Sequence, residues 1–474
     1  MEVLFAASEA MPLVKTGGLA DVVGALPKAL AKHGVNVTVI LPKYGAIPDD
    51  IAAQAVTLAE LNVQLGWRSQ YCALQEVTAG GIRFLLIDNE YYFKRGQLYG
   101  YGDDAERYVF FCVAVLEVLG KLESMPDLIH CHDWQTGLIP FLLRTRYGNL
   151  PGYRDIRTVF TIHNLQYQGV FPREMMQDLL GIGDEAFTVD GLEFYGAASC
   201  MKAGLLFADK LSTVSYTYSF EIRSEEYGEK LDGVIRRRSG DLWGIVNGID
   251  TKEYDPMHDP HIAVPYRDSL AKKRKNKAAL QRELGLPEEE DTPLIGMVSR
   301  LTHQKGFDLV LGAIDELMKE RLQLVVLGAG DHGIERMLRY AQARHPDRIA
   351  TWFGFNEGLA RRVYAASDLY LMPSRFEPCG LSQLIALRYR AVPVVRETGG
   401  LKDTVQPYNE FTGEGNGFTF GPATVHDLLY TLNRALSFYR DPEAWGRIVR
   451  NGAGRDVGWE ASAKLYCKLY KELV

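Results

Sequence analysis

Short runs of β-branched and apolar residues recur through the first half of the chain, at 3–7, 35–41, 82–88, 127–133 and 157–163, with longer helix-like stretches between them. Within each run the apolar positions are nearly continuous rather than alternating. That is the pattern of strands covered on both faces, as in a parallel sheet whose crossovers are helices. The rhythm restarts at 294–299, 322–330, 349–355, 368–374 and 391–397, with helix-like stretches such as 306–320 and 379–390 between. The predicted fold class is α/β, built from two Rossmann-like doubly wound sheets.

Gly248, Pro256, Pro260 and Pro265 interrupt the rhythm, which predicts a domain junction near 248–265. The predicted domains are 1–248 and 249–456, followed by a C-terminal helix at 457–474. In that helix Leu465, Leu469 and Leu473 fall at i, i+4 and i+8. Such a stripe must dock on something, and the first domain is the expected partner.

Length and composition narrow the function. A chain of 474 residues, 47% hydrophobic, has material for more than one core. A formal charge of -7 without long runs of one sign argues against nucleic acid as a partner. The first residues carry Glu2 and Glu9, with no basic n-region and no long apolar run, so no membrane association and a cytoplasmic location are expected. The cysteines Cys72, Cys112, Cys131, Cys200, Cys379 and Cys467 are scattered without a C-x-x-C pair. That argues against a disulfide framework and a thiolate zinc site.

Two Thr-Gly-Gly turns stand out, at Thr16-Gly17-Gly18 and at Thr398-Gly399-Gly400, each at the start of a helix-like stretch. A Gly-Gly turn leaves backbone N–H groups open to an anion, and the helix dipole favours negative charge there. Lys15 precedes the first turn, while Arg300 and Lys305 lie on a loop between a strand and the helix opened by Gly306. A diphosphate leaving group needs such cations as it gains charge. No D-x-D pair occurs to hold a divalent cation, and no G-x-x-x-x-G-K-[ST] order to form a Walker loop. Glu377 follows a strand run, at the edge where open α/β sheets bind ligands. His130 and His132 share one strand face, but no nearby third ligand supports a metal, and Asp133 is the better site candidate.

The segments MPLVKTGGLADVVGALP (11–27), HDWQTG (132–137), TIHN (161–164), VNGID (246–250), SRLTHQKG (299–306), PSRFEPCGL (373–381) and RETGGLKDTV (396–405) together resemble the successive signatures of bacterial glycogen synthases and plant starch synthases. They run through nearly the whole chain in order. The resemblance implies a GT-B architecture, in which two Rossmann-like domains face across a cleft and a C-terminal helix crosses back. It implies retaining transfer of glucose from ADP-glucose to an α-1,4-glucan acceptor, with no metal and no cofactor. UDP-glucose as donor, or a small-molecule acceptor, is the alternative.

By the same resemblance Arg300 and Lys305 contact the diphosphate, Lys15 binds the donor, and Glu377 recognises glucose hydroxyls. His163 and Asn164 lie against the glucose ring and leaving group, Asp133 contacts the transferred sugar or the acceptor, and Asn247 lines the cleft. Cys379, Gly380, Thr398, Gly399 and Gly400, with Gly17 and Gly18, complete the expected binding set. Phe355 is suited to stacking on a purine, with burial in the core as the competing reading. The chain departs from relatives at Ile385, where many transferases of this architecture carry a second glutamate. It also has Gln135 where many relatives carry His, and Arg390 where Gly is common.

Overall fold

The computed structural model describes residues 1–474. The chain divides into two compact units, one of residues 1–247 together with 459–474 and the other of residues 248–458.

The first unit holds strands β1 (Glu2–Ala6), β2 (Asn36–Pro42), β3 (Val56–Leu65), β4 (Arg68–Ala79), β5 (Ile82–Asp88), β6 (Leu128–His132), β7 (Arg157–Ile162), β8 (Val170–Pro172), β9 (Glu193–Phe194), β10 (Ala197–Ser199), β11 (Lys210–Thr213) and β12 (Leu242–Gly244). Nine of them form one sheet in the order β12-β11-β7-β6-β1-β2-β5-β4-β3, while β8, β10 and β9 form a small separate sheet. Pairing is parallel from β12 through β5. It is antiparallel where β4 joins β5 and β3 joins β4. The sheet is therefore mixed rather than wholly doubly wound. The added hairpin turns at Gly66 (φ 56°), and β3 is largely exposed on its outer positions, as an edge strand with one covered face is.

The second unit holds β13 (Leu294–Val298), β14 (Gln323–Gly328), β15 (Ile349–Phe353), β16 (Leu369–Met372), β17 (Val392–Arg396) and β18 (Phe418–Phe420). All pair in parallel in the order β15-β14-β13-β16-β17-β18. Numbered from its own first strand this is 3-2-1-4-5-6, the dinucleotide-fold order, whose strand direction of travel reverses between β13 and β16. The hydrophobic runs place Ile295, Leu324, Leu369 and Val394 at full burial beneath helices such as Phe307–Leu317 and Val425–Tyr439.

The C-terminal helix Glu460–Lys471 packs within the first unit, but of the predicted leucine stripe only Leu469 is fully buried. Leu465 is 43% exposed, whereas Ala463, Tyr466, Leu469 and Tyr470 are buried. The tyrosine face wins because it brings a polar partner as well as area. Tyr470 Oη lies 2.7 Å from His130 Nδ1, and Ser462 donates to the Val246 carbonyl, so these two hydroxyls enter the core with partners. Arg390 shows why glycine suits its position: its φ is 62°, in the left-handed region. Here the arginine is held by hydrogen bonds to the Arg388 carbonyl (3.0 Å) and to Asp268 (2.9 Å).

Candidate active site

In both units the predicted residues collect at the carboxyl ends of the parallel strands, near the point where strand order reverses. In the first unit the segment after β1 carries Glu9, Lys15 and the Thr16-Gly17-Gly18 turn, and Gly18 opens the helix Gly18–Ala31. Asp133 follows β6, and His163 and Asn164 follow β7.

Two backbone donors of the first Gly-Gly turn, those of Thr16 and Gly17, are already engaged. Glu9 Oε2 accepts from Thr16 N (2.5 Å), Thr16 Oγ1 (2.9 Å) and Gly17 N (3.2 Å). Burial raises the Glu9 carboxyl above its ordinary value, opposed by those hydrogen bonds. Sequence reasoning missed Glu9, because a carboxylate seven residues before the turn has no periodic relation to it. It also missed Tyr99, which is partly buried with its hydroxyl 2.8 Å from Ser8 Oγ and within the electrostatic reach of Glu9 and Asp133. Lys15 is partly exposed and pairs with Asp21 at 2.8 Å.

Asp133 has φ 58°, a left-handed conformation for a non-glycine residue, and this turns its carboxylate under the next strand's end. Its Oδ1 accepts from His163 N (2.7 Å), with a longer contact to Asn164 N (3.4 Å). Burial nonetheless dominates and pushes the Asp133 carboxyl up to about 7.

His163 Nε2 lies 2.9 Å from His132 Nδ1. Burial depresses the His163 imidazole to about 3 and holds His130 and His132 well below the usual histidine range, so all three rings are neutral at neutral pH. His132 stacks on His130 at 4.2 Å, and His130 Nε2 meets Thr161 Oγ1 at 2.5 Å. His132 Nε2 is buried with no partner. An orphaned N–H is rarer in proteins than an acceptor short of a partner. The favoured tautomer therefore has His132 donating from Nδ1 to His163 Nε2, which leaves the His163 proton on Nδ1.

In the second unit Arg300 begins the loop after β13, and Lys305 ends a single turn capped by Gly306 at φ 73°. A Cβ at Gly306 would stand 2.1 Å from the Pro373 carbonyl oxygen, so this loop and the one after β16 touch backbone to backbone. Lys305 Nζ thereby lies 2.6 Å from Glu377 Oε2, which also accepts from Ser374 Oγ at 2.9 Å. Gly400 N donates to the carbonyls of Glu377 (3.2 Å) and Pro378 (3.1 Å). A Cβ at Gly399 would fall 1.9 Å from the Glu377 carbonyl oxygen, and one at Gly400 2.1 Å from that of Cys379. Only glycine permits this approach of the loops after β16 and β17. Cys379 and Thr398 are buried within it, and Gly380 takes φ 70°.

Lys305, Glu377, Cys379, Gly380, Thr398, Gly399 and Gly400 are thus one cluster, and Asp133, His163 and Asn164 another. Phe355 stands apart, on the segment after edge strand β15 and 83% exposed, so the reading of it as a core residue is overturned. Asn247 is buried at the end of the first unit with its Oδ1 unpartnered. No group of three or more His, Cys, Asp or Glu is placed to hold a metal ion, and no helix is long and apolar enough to cross a membrane.

Residues 2–237 match the family described as Starch synthase catalytic domain, and residues 281–452 match Glycosyl transferases group 1. The chain is 54% identical over its whole length to a glycogen synthase of Desulforamulus reducens, covering 99% of it, and 53% identical to one of Geobacillus stearothermophilus, covering 98%. Its structure matches the catalytic domain of starch synthase IV from Arabidopsis thaliana, solved with ADP and acarbose, at a TM-score of 0.93 with 34% identity and 99% of each chain covered. It matches sucrose-phosphate synthase from Thermosynechococcus elongatus at a TM-score of 0.64 with 19% identity over 100% of this chain and 98% of that one, a likeness of fold. With both domain signatures in order and more than half of its residues identical to a full-length relative, the chain belongs to the glycogen synthase family, the glucosyltransferases of GT-B fold that act on glucan.

Proposed function

We propose that the chain transfers glucose from ADP-glucose to the non-reducing end of an α-1,4-glucan and retains the anomeric configuration. The observation that carries this is the Lys305–Glu377 pair at 2.6 Å beside the Gly399-Gly400 turn. It sets a cation for a leaving diphosphate against a carboxylate for sugar hydroxyls, which is what a nucleotide-sugar donor requires.

In the proposed reaction the bond from the anomeric carbon to the phosphate oxygen breaks as the acceptor hydroxyl oxygen attacks from the same face. The acceptor proton passes to the leaving diphosphate. Arg300 and Lys305 stabilise the charge that builds on that diphosphate, and Lys15 adds a cation from the first unit. Their fixed charges take the part a divalent cation plays elsewhere. Glu377 accepts hydrogen bonds from the glucose ring. His163 presents its Nδ1–H to the sugar, and Asp133, as a carboxylate, favours the positive charge that develops at the anomeric carbon. The relative solved with ADP and acarbose supports the choice of nucleotide and of an α-glucan acceptor.

The test offers labelled ADP-glucose and UDP-glucose with glycogen in the presence of EDTA. Incorporation from ADP-glucose in excess of UDP-glucose, into new α linkages by NMR, is expected. Equal or better use of UDP-glucose overturns the donor assignment, and abolition by chelator with rescue by magnesium or manganese overturns the metal-free route.

A further inference from the structure

Glu9 has no task in the reaction proposed above, yet it is only 4% exposed and stands on the same segment as Lys15. That segment folds back on itself. An isolated antiparallel bridge joins Ala10 to Val14, closed by Ala10 N donating to the Val14 carbonyl (3.1 Å) and Val14 N to that of Ala10 (3.0 Å). The positions next outward from such a pair are Glu9 and Lys15.

The tip of this hairpin is fixed against the helix Gly18–Ala31. Met11 N donates to the Ala20 carbonyl at 3.0 Å, and a Cβ at Gly24 would stand 2.7 Å from the Met11 carbonyl oxygen. The open end, where Lys15 leads into the helix, has no such packing of backbone on backbone. Its N-cap is Gly17, which has no side chain to hold the first turn.

A carboxylate placed beside a lysine would ordinarily pair with it. Here Lys15 Nζ goes instead to Asp21, at 2.8 Å. Glu9 Oε2 accepts from Thr16 N, Thr16 Oγ1 and Gly17 N, so it supplies from eight positions away the cap that glycine lacks. A negative charge there also suits the positive end of the helix dipole.

We propose that Glu9 is a positioning residue, which clamps the turn after Lys15 so that the ammonium keeps its aim when it exchanges Asp21 for the diphosphate of the donor. A lysine stem is flexible, and it is aimed only as well as the backbone that carries it. The same clamp withholds the N–H groups of Thr16 and Gly17 from the diphosphate. The first unit therefore meets that anion with its cation. The inference rests on the role given to Lys15 above and deepens it.

The experiment measures kcat, KM for ADP-glucose and Kd for ADP in the unaltered enzyme and in Glu9→Ala, Glu9→Asp, Glu9→Gln, Lys15→Ala and the double variant Glu9→Ala/Lys15→Ala. Glu9→Ala should lower kcat by about tenfold to 100-fold, the scale of a misplaced reacting group, with Kd for ADP nearly unchanged. Glu9→Asp keeps the charge but withdraws it by one methylene, and it should lose activity in the same direction; it carries the test, alone and with Lys15→Ala, if the alanine variant does not fold. Glu9→Gln keeps an oxygen that accepts from the turn and should recover most of the loss. In the double variant the Glu9 change should add little to the loss from Lys15→Ala, because the two act as one unit. Losses that multiply overturn the inference, as does an unaltered kcat in both Glu9→Ala and Glu9→Asp. Hydrogen exchange of a peptide covering 13–19 reads the clamp without any transfer. Faster exchange in Glu9→Ala or Glu9→Asp supports it, and equal rates overturn it. An unaltered enzyme that transferred no glucose would overturn the proposed activity, and the exchange rates would still decide the clamp.

Discussion

His132 Nδ1 lies 2.9 Å from His163 Nε2, and both rings are neutral, His132 buried and His163 partly so. His132, itself fully buried, thus decides which nitrogen of His163 carries its proton.

His132→Phe is therefore expected to lower kcat by roughly ten- to hundredfold, as loss of an orienting partner commonly does, with a smaller effect on KM for the donor. His132→Asn, which can still donate from the Nδ1 position, should recover part of the loss. Nitrogen-15 correlation spectra of the histidine rings provide the direct check. If His163 carries its proton on Nε2 in the unaltered enzyme, the tautomer assignment fails.

Asp133 gives the reaction a pH dependence of stated sign. Its carboxyl is raised to about 7 by burial, so the ionised form is gained as pH rises through that value. Log kcat/KM should climb with pH to a plateau, with an inflection near 7. The measurement is a pH profile from 5.5 to 9 (about the accessible range for a histidine-rich site) for the unaltered enzyme and Asp133→Asn. The same inflection in the variant would assign it to another group.

Acid should also weaken the first unit. A histidine whose folded value sits below its unfolded one, as for His130, His132 and His163, binds fewer protons folded than unfolded. Stability then falls as pH drops through the ordinary histidine value near 6.5. Glu9 and Asp133, raised by burial, act in the opposite sense as pH rises above the ordinary carboxylate range. The thermal midpoint should drop between pH 7 and 5, and His130→Phe, if it folds, should show a shallower fall. A midpoint that rises on acidification would mean the carboxylates dominate.

Lys305→Ala and Lys15→Ala separate the contributions of the two units. Each should cost on the order of 100- to 1,000-fold in turnover, as for the loss of one group that stabilises a developing anion. Lys305→Ala should also weaken ADP, since Lys305 belongs to the cluster with Glu377, whereas Lys15→Ala should bind ADP nearly as well. Wild-type turnover by Lys15→Ala at saturating donor would remove the first unit from the charge stabilisation proposed here.

Phe355 is 83% exposed, so its replacement bears on ligand rather than core. Phe355→Ala should raise KM for ADP-glucose roughly tenfold or more if its face stacks on adenine, and leave the melting temperature unchanged. An unaltered KM would free Phe355 of any role in the donor site.

The periodicity of apolar runs determined most of this architecture, because a strand buried on both faces must be apolar throughout and a helical crossover must not be. Strands at 82–88, 157–162 and 294–298 follow directly from that rule. The β3–β4 hairpin escaped it, since an edge hairpin needs only one apolar face and its register is broken by a bulge between Thr57 and Ala59. The C-terminal helix was recognised, but its docking face depended on Tyr470 meeting His130, a partner 340 residues away.

At the site the sequence determined residue types and their order, through glycine turns and isolated charges whose chemistry is local. Lys305 and Glu377, 72 positions apart, become neighbours only because β13 and β16 are adjacent in the sheet and Gly306 and Gly399 let the loops close. The raised carboxyl of Asp133, the orientation of His163 and the capture of the first Gly-Gly turn by Glu9 were decided by the tertiary structure alone. Each depends on how much water the fold removes and which distant group it brings within hydrogen-bonding distance, and neither quantity is a property of neighbouring positions along the chain.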